Sequence, residues 1–122
     1  MSLGDEKFLL LTTFRKDGTP VPTPLWVVGE ADALFVWTPV DTGKVKRIRR
    51  SGDVEVAPCD FKGNPTGAAV KARARLLDEA GSDQVRQLIG RKYGLLGKVT
   101  VFGSKLRRGK NGTVGIEIVP ST

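Results

Sequence analysis

The chain has 122 residues, a single cysteine and no histidine, and its 20 Lys and Arg outweigh 13 Asp and Glu to give a net charge of +7. This length holds one domain with one core, spanning 1–122, and an apolar content of 39% sets it apart from disordered chains. The absence of histidine removes Ser-His-Asp and Cys-His catalysis and every histidine zinc site, while Cys59 alone builds neither a disulfide nor a thiolate cluster. Asp and Glu fall in no spaced ligand motif, so no metal site is expected and an enzyme on this chain would need an organic cofactor.

The start, Met1-Ser2-Leu3-Gly4-Asp5-Glu6, is acidic where a signal peptide would be basic, and the longest aliphatic stretch, around Phe8 to Leu11, cannot span a bilayer. A cytoplasmic protein without a membrane span is the expectation. The sequence pI of about 9.9 suggests an acidic partner, either nucleic acid, an anionic surface or a phosphorylated small molecule, unless the charge only keeps the surface solvated.

Lys7 to Arg15 reads as a first strand, and Lys16-Asp17-Gly18 as a hairpin turn into a second strand over Val21 to Val28. A turn over Gly29 to Ala33 leads to a third, Leu34 to Thr38, with Phe35 and Trp37 on one face and Leu34, Val36 and Thr38 on the other. Thr42 to Arg50 predicts a short helix with Val45 and Ile48 on its apolar side. Two more strands follow at Asp53 to Ala57 and Ala68 to Leu77. Ser82 is the expected N-cap of a helix carrying Val85, Leu88 and Ile89 and ending at Gly94. Leu95, Val99, Phe102 and Leu106 recur at helical spacing, although Val99 to Phe102 would also suit a strand. Arg107 to Gly112 reads as a loop, and Thr113 to Val119 as a closing strand. Six short strands with turns between them predict a barrel or sandwich.

Three features carry chemistry. In Thr38-Pro39-Val40-Asp41-Thr42-Gly43-Lys44-Val45-Lys46-Arg47 a strand runs through a tight loop into a helix whose first turn holds a lysine. A helix N-terminus is already positive, so Lys44 belongs there if an anion rests on the free N–H groups, with Arg47 one turn on. A basic solvent-facing helix is the competing reading. In Val21-Pro22-Thr23-Pro24-Leu25-Trp26 the alternate prolines strip one strand edge of donors, which protects that edge or lets a planar ligand lie along it. Lys71, Arg73 and Arg75 share a strand face that is either solvated or a groove for an acidic tail.

The stretch from Phe8 to Leu77 resembles the pyridoxamine 5′-phosphate oxidase-like split-barrel family, and within it the small oxidoreductases that use coenzyme F420. The resemblance rests on Leu-Leu-Thr-Thr-Phe-Arg-Lys-Asp-Gly-Thr-Pro at 10–20, Thr-Pro-Leu-Trp at 23–26 and Val-Trp-Thr at 36–38. Gly-Lys-Val-Lys-Arg-Ile at 43–48, Val-Ala-Pro-Cys-Asp at 56–60 and Arg-Lys-Tyr-Gly at 91–94 continue it. It implies a mainly β, six-stranded antiparallel split barrel with short helices, forming a homodimer with cofactor sites between subunits. It further implies that Thr23, Pro24, Leu25 and Trp26 border the cofactor ring, with Trp37 and Thr38 near the ring and ribityl chain. Thr42, Gly43 and Lys44 would form the phosphate turn with Arg47 in support, and Pro58, Cys59 and Asp60 would line the site beyond the next strand. No catalytic side chain is assigned. Pyridoxamine oxidation is not expected, because Gly43-Lys44 replaces the oxidases' arginine–lysine pair and their C-terminal substrate motif is missing.

The implied activity is hydride transfer between F420 and a small organic acceptor, with FMN as the alternative cofactor. A non-catalytic flavin or haem carrier and a basic nucleic-acid module are the other classes. The second fits the charge but lacks any recognition signature, and no nucleic-acid partner is expected. Cys59 reads as a packing or site-lining residue rather than a nucleophile.

Overall fold

The computed structural model describes residues 3–94 and 112–121. The expected helix or strand over 95–106 and the loop start at Arg107 lie outside the described residues. After a 3-10 turn at Leu3–Asp5 come β1 (Phe8–Phe14), β2 (Pro20–Glu30), β3 (Ala33–Pro39), α1 (Gly43–Arg50), β4 (Asp53–Cys59), β5 (Val70–Leu76), α2 (Glu79–Lys92) and β6 (Thr113–Pro120). The strands close an antiparallel barrel in the order β1-β2-β3-β6-β5-β4. Among the described residues no helix is long and apolar enough to cross a membrane.

Alternation along the strands builds the core. Leu9 and Leu11 of β1, Val27 of β2, Leu34 and Val36 of β3, Val54 and Val56 of β4, and Ile116 and Ile118 of β6 point inward and are at most 6% exposed. Each such side chain contributes about 1.5–3 kcal/mol by leaving water. The β1–β2 turn is the Asp-Gly hairpin expected: Gly18 sits at φ +89°, Arg15 N–H donates to the Thr19 carbonyl, and the Asp17 carboxylate accepts from Thr19 N–H. α1 closes the barrel end where β1 and β3 finish, burying Val45 and Ile48 as its spacing predicts.

α2 begins earlier than the sequence suggests. Its N-cap is Asp78, whose carboxylate accepts from Gly81 N–H at 2.8 Å, and not Ser82. Ser82 lies buried inside the helix, where its hydroxyl accepts from Gly115 N–H at 2.9 Å. Both residues are competent caps, but only Ser82 has a β6 amide within reach, so the tertiary partner decides between them. The helix packs Val85 and Ile89 on the outer face of the sheet, with Trp26, Val28, Phe35, Trp37, Leu77, Leu88 and Tyr93 around them.

Candidate cofactor-binding site

β2 changes partner along its length. From Pro20 to Trp26 it pairs with β1, and from Val27 to Glu30 it pairs with β3. Below the Val27–Val36 rung β2 and β3 are not laddered together, which leaves a split in the wall. The prolines explain one lip. Pro22 and Pro24 face Thr12 and Leu10 of β1 in a ladder they cannot donate to, so their nitrogens must face away from β1, along the β3 side. The other lip is the end of β3, where Trp37 and Thr38 pair with Gly115 and Val114 of β6. The indole Nε1 of Trp37 and the hydroxyl of Thr38 are buried and have no hydrogen-bond partner among the described residues.

Past Pro39 the chain turns into α1, whose N-terminus stands at the end of this split. Thr42 is the N-cap, yet its hydroxyl donates to the Pro39 carbonyl at 3.0 Å and makes no cap hydrogen bond to the helix. First-turn N–H groups ahead of Lys46, whose own amide bonds the Thr42 carbonyl, have no acceptor within the helix and point out of its N-terminus. Arg47 folds back toward them, donating from Nε to the buried Thr13 hydroxyl at 2.6 Å. A Cβ on Gly43 would lie 2.6 Å from the Arg47 guanidinium, so a larger residue there would push the Arg47 tip aside. α1 carries Lys44, Lys46, Arg47, Arg49 and Arg50 and no acidic residue in its first turn. Burial, and then the charge of Arg47, hold the Lys44 pKa below that of an ordinary lysine. Lys44 is therefore half-buried beside a like charge, not the exposed side chain a first-turn lysine suggests.

The structure sorts the candidate residues by face. Thr23 and Leu25 share the inward face with their β1 partners Leu11 and Leu9, whereas Pro24 and Trp26 point outward with Leu10 and Phe8. Trp37 points outward under α2 and Thr38 inward. Thr23 to Trp26, Trp37, Thr38, Thr42, Gly43, Lys44 and Arg47 border the split or its α1 end.

Pro58 and Cys59 end β4, which pairs with β1 on the side away from β2, and Asp60 opens the loop that follows, whose Gly63 comes back beside Leu10 and Pro24. The Asp60 carboxylate is committed to its own loop, accepting from Lys62 N–H, Asn64 N–H and the Asn64 amide, and these bonds, led by the Asn64 backbone, lower its pKa. Cys59 is buried beside that loop, and burial, followed by Asp60 and Glu6, pushes its thiol pKa up. A thiol so shielded is a packing group.

The basic face of β5 is matched to acid. Arg73 pairs with Asp53, Arg75 Nε pairs with Glu117 at 2.6 Å, and Lys71 faces Glu55 across the ladder. These partners reduce its appeal as a groove for an acidic tail and leave α1 as the concentrated basic element. Sequence reading gave Lys92 and Tyr93 no role beyond the family likeness. Yet Tyr93 stacks on Trp26 with ring centroids 4.4 Å apart and planes 10° apart.

Neither a protein-family model nor a curated protein matches the sequence. Solved structures do. A candidate pyridoxamine 5′-phosphate oxidase from Listeria innocua superposes with a TM-score of 0.68 at 16% identity, covering 98% of this chain and 88% of that one. An F420 reductase gives a TM-score of 0.66 at 21% identity, covering 98% and 91%. The fold is the split barrel of the pyridoxamine 5′-phosphate oxidase-like proteins. The haem storage protein HutZ from Vibrio cholerae has the same barrel, with a TM-score of 0.70 at 16% identity and coverage of 98% and 85%. Split barrels thus carry different ligands on one frame, and the ligand must be argued from the site.

Proposed function

We propose that the chain is an oxidoreductase that binds coenzyme F420 along the split between β2 and β3 and transfers hydride between it and a small organic acceptor. One observation carries this reading: the N-terminus of α1, which the Thr42 side chain does not cap, with Lys44 and Arg47 beside it, at the end of a split whose lip holds two buried polar atoms without a partner among the described residues. A phosphate on the free N–H groups would supply the missing acceptors, and Lys44 would complete the cradle. Trp37 Nε1 and the Thr38 hydroxyl suit the polar rim and ribityl chain of a flavin-like group, and the donor-free edge at Pro22 and Pro24 suits a flat ring.

The chemistry supplied by the bound cofactor is hydride transfer. The protein's part is to hold the ring, exclude water from one side and align the acceptor. The F420 reductase among the structural neighbours supports a deazaflavin, and the pyridoxamine phosphate oxidase likeness supports FMN as the alternative. The concentration of Lys44, Lys46, Arg47, Arg49 and Arg50 on α1 favours F420, whose tail carries glutamates beyond the phosphate. A haem carrier would lack the usual histidine ligand, since the chain has none.

Titrating the purified protein with F420 and with FMN tests the reading: F420 is expected to bind more tightly. Equal or tighter FMN binding, or protein that purifies yellow with FMN, overturns the deazaflavin assignment. Nucleic-acid binding that falls steeply with salt would favour the basic-module reading instead.

A split barrel of this size leaves one side of a bound ring in water, and two-fold pairing is the commonest way to cover it. The protein is therefore expected to sediment as a homodimer of the 13.2 kDa chain at concentrations where cofactor binds. A monomer that retains full cofactor affinity would contradict this.

A further inference from the structure

The rung after Phe8–Trp26 in the β1–β2 register sets Lys7 opposite Val27. That rung is not closed by a direct ladder bond. Val27 N–H donates to the Tyr93 hydroxyl at 2.9 Å, and the same hydroxyl lies 2.7 Å from the Lys7 carbonyl and 2.9 Å from the Val27 carbonyl, either of which can take its one proton. Lys92 donates to the Val27 carbonyl at 2.6 Å, and also to the carbonyls of Gly4 at 2.8 Å and Glu6. Two neighbouring side chains at the end of α2 thus stand in for strand hydrogen bonds at the point where β2 leaves β1 for β3. The Tyr93 ring, fixed by this clasp, lies flat on Trp26. Trp26 is only partly buried: Tyr93 backs one ring face, the Val28, Val85 and Ile89 cluster packs against the side chain, and the part left exposed can meet a ligand.

We infer that Tyr93 is a positioning residue for the cofactor ring: it touches Trp26 and not the ligand, and sets the plane that Trp26 presents to the split. The inference rests on the cofactor reading above and adds a role for the end of α2 within it. An indole at the last rung of the β1–β2 ladder, without the stacked tyrosine, would turn more freely about two side-chain torsions, and each turn would tilt the surface the ring meets. Stacking on an anchored tyrosine removes that freedom before the ligand arrives, which is what preorganisation contributes to affinity. The hydroxyl serves the anchor, whereas the aromatic ring serves the orientation.

The test compares the parent with Tyr93→Phe, Tyr93→Leu and Tyr93→Met. Each would be titrated with F420 and with FMN, and near-UV circular dichroism of the ligand-free proteins would report the stacked pair. Loss of the aromatic partner in Tyr93→Leu and Tyr93→Met should abolish the stacking signal and weaken the tighter of the two ligands about five- to tenfold. Tyr93→Phe keeps the ring and should bind within about threefold of the parent while melting at a lower temperature. Lys44→Ala should cost the same factor in the parent and in Tyr93→Leu, because the two act on opposite ends of the ligand, and a general loosening of the fold would not preserve that factor. A folded Tyr93→Leu or Tyr93→Met that binds as tightly as the parent overturns the inference, as does a Tyr93→Phe that loses as much as Tyr93→Leu. Should neither non-aromatic variant fold, Trp26→Phe decides: unchanged affinity there also overturns it. A parent that binds neither F420 nor FMN refutes the cofactor reading itself, and the inference falls with it.

Discussion

Lys44→Ala should weaken cofactor binding about ten- to hundredfold, the loss of one charge-assisted contact worth roughly 1.5–3 kcal/mol. Lys46→Ala is the control, since Lys46 stands two positions on and is exposed while Lys44 is half-buried. Fold stability should hold or rise slightly in Lys44→Ala, because the substitution removes a partly desolvated charge set beside Arg47 at the positive end of a helix. The pH dependence has opposite signs for binding and folding. Anion binding needs the ammonium, so Lys44's contribution is present at neutral pH and is lost as the pH rises through its depressed pKa, below the usual lysine value of 10.5. Folding behaves inversely: between the depressed folded pKa and the unfolded one, the unfolded chain holds more protons, and stability from this group grows with pH. Isothermal titration of both variants at several pH values, with thermal midpoints, reads all of these. Equal losses from Lys44→Ala and Lys46→Ala would mean that α1 acts as a diffuse basic patch, and the phosphate cradle would be wrong.

Arg86→Ala should damage the fold as much as truncating a core side chain. Arg86 is 6% exposed, and its guanidinium donates from Nε and Nη2 to the Thr113 hydroxyl, from Nη2 to the Thr113 carbonyl, and from Nη1 to the Asp83 carboxylate. Thr113 is itself buried at the first residue of β6, so truncation strands polar groups of β6 as well as freeing Asp83. Hydrogen bonds to a charged donor and the unsatisfied groups left behind together make a cost of about 3 kcal/mol. For a chain of this size that lowers the thermal midpoint by roughly 10–15 °C. Arg86→Lys keeps the charge but loses the planar fork that serves Thr113 and Asp83 together, and should recover only part of the loss. A midpoint for Arg86→Ala within about 3 °C of the parent would show that the Arg86 network contributes little to holding α2 against β6.

The sequence by itself determined the elements and their faces. Alternation in β1, β3 and β6 marks inward from outward residues without reference to any neighbour, and Val45 with Ile48 marks the buried side of α1, because side-chain direction follows from backbone period. Asp17-Gly18 marks its hairpin because only a few residues tolerate a positive φ. The basic opening of α1 was legible for the same local reason: Thr42, Gly43 and Lys44 are contiguous.

Tertiary structure decided everything that depends on which strands lie side by side. Ser82 and Asp78 are equally good caps in a sequence, and the Gly115 amide chose between them by drawing Ser82 inward. The family likeness gives Pro58, Cys59 and Asp60 as lining residues, and only the fold shows that Asp60 holds a loop whose Gly63 returns beside Pro24. Lys71, Arg73 and Arg75 read as a free basic stripe until β4 and β6 bring Glu55, Asp53 and Glu117 against it. Tyr93 lies 66 residues from the Val27 amide it receives, and no periodicity or spacing reports a contact of that range. Local chemistry is written in neighbouring residues, but cross-strand pairing is fixed by the register of the closed barrel, and a register is a property of two chain segments together.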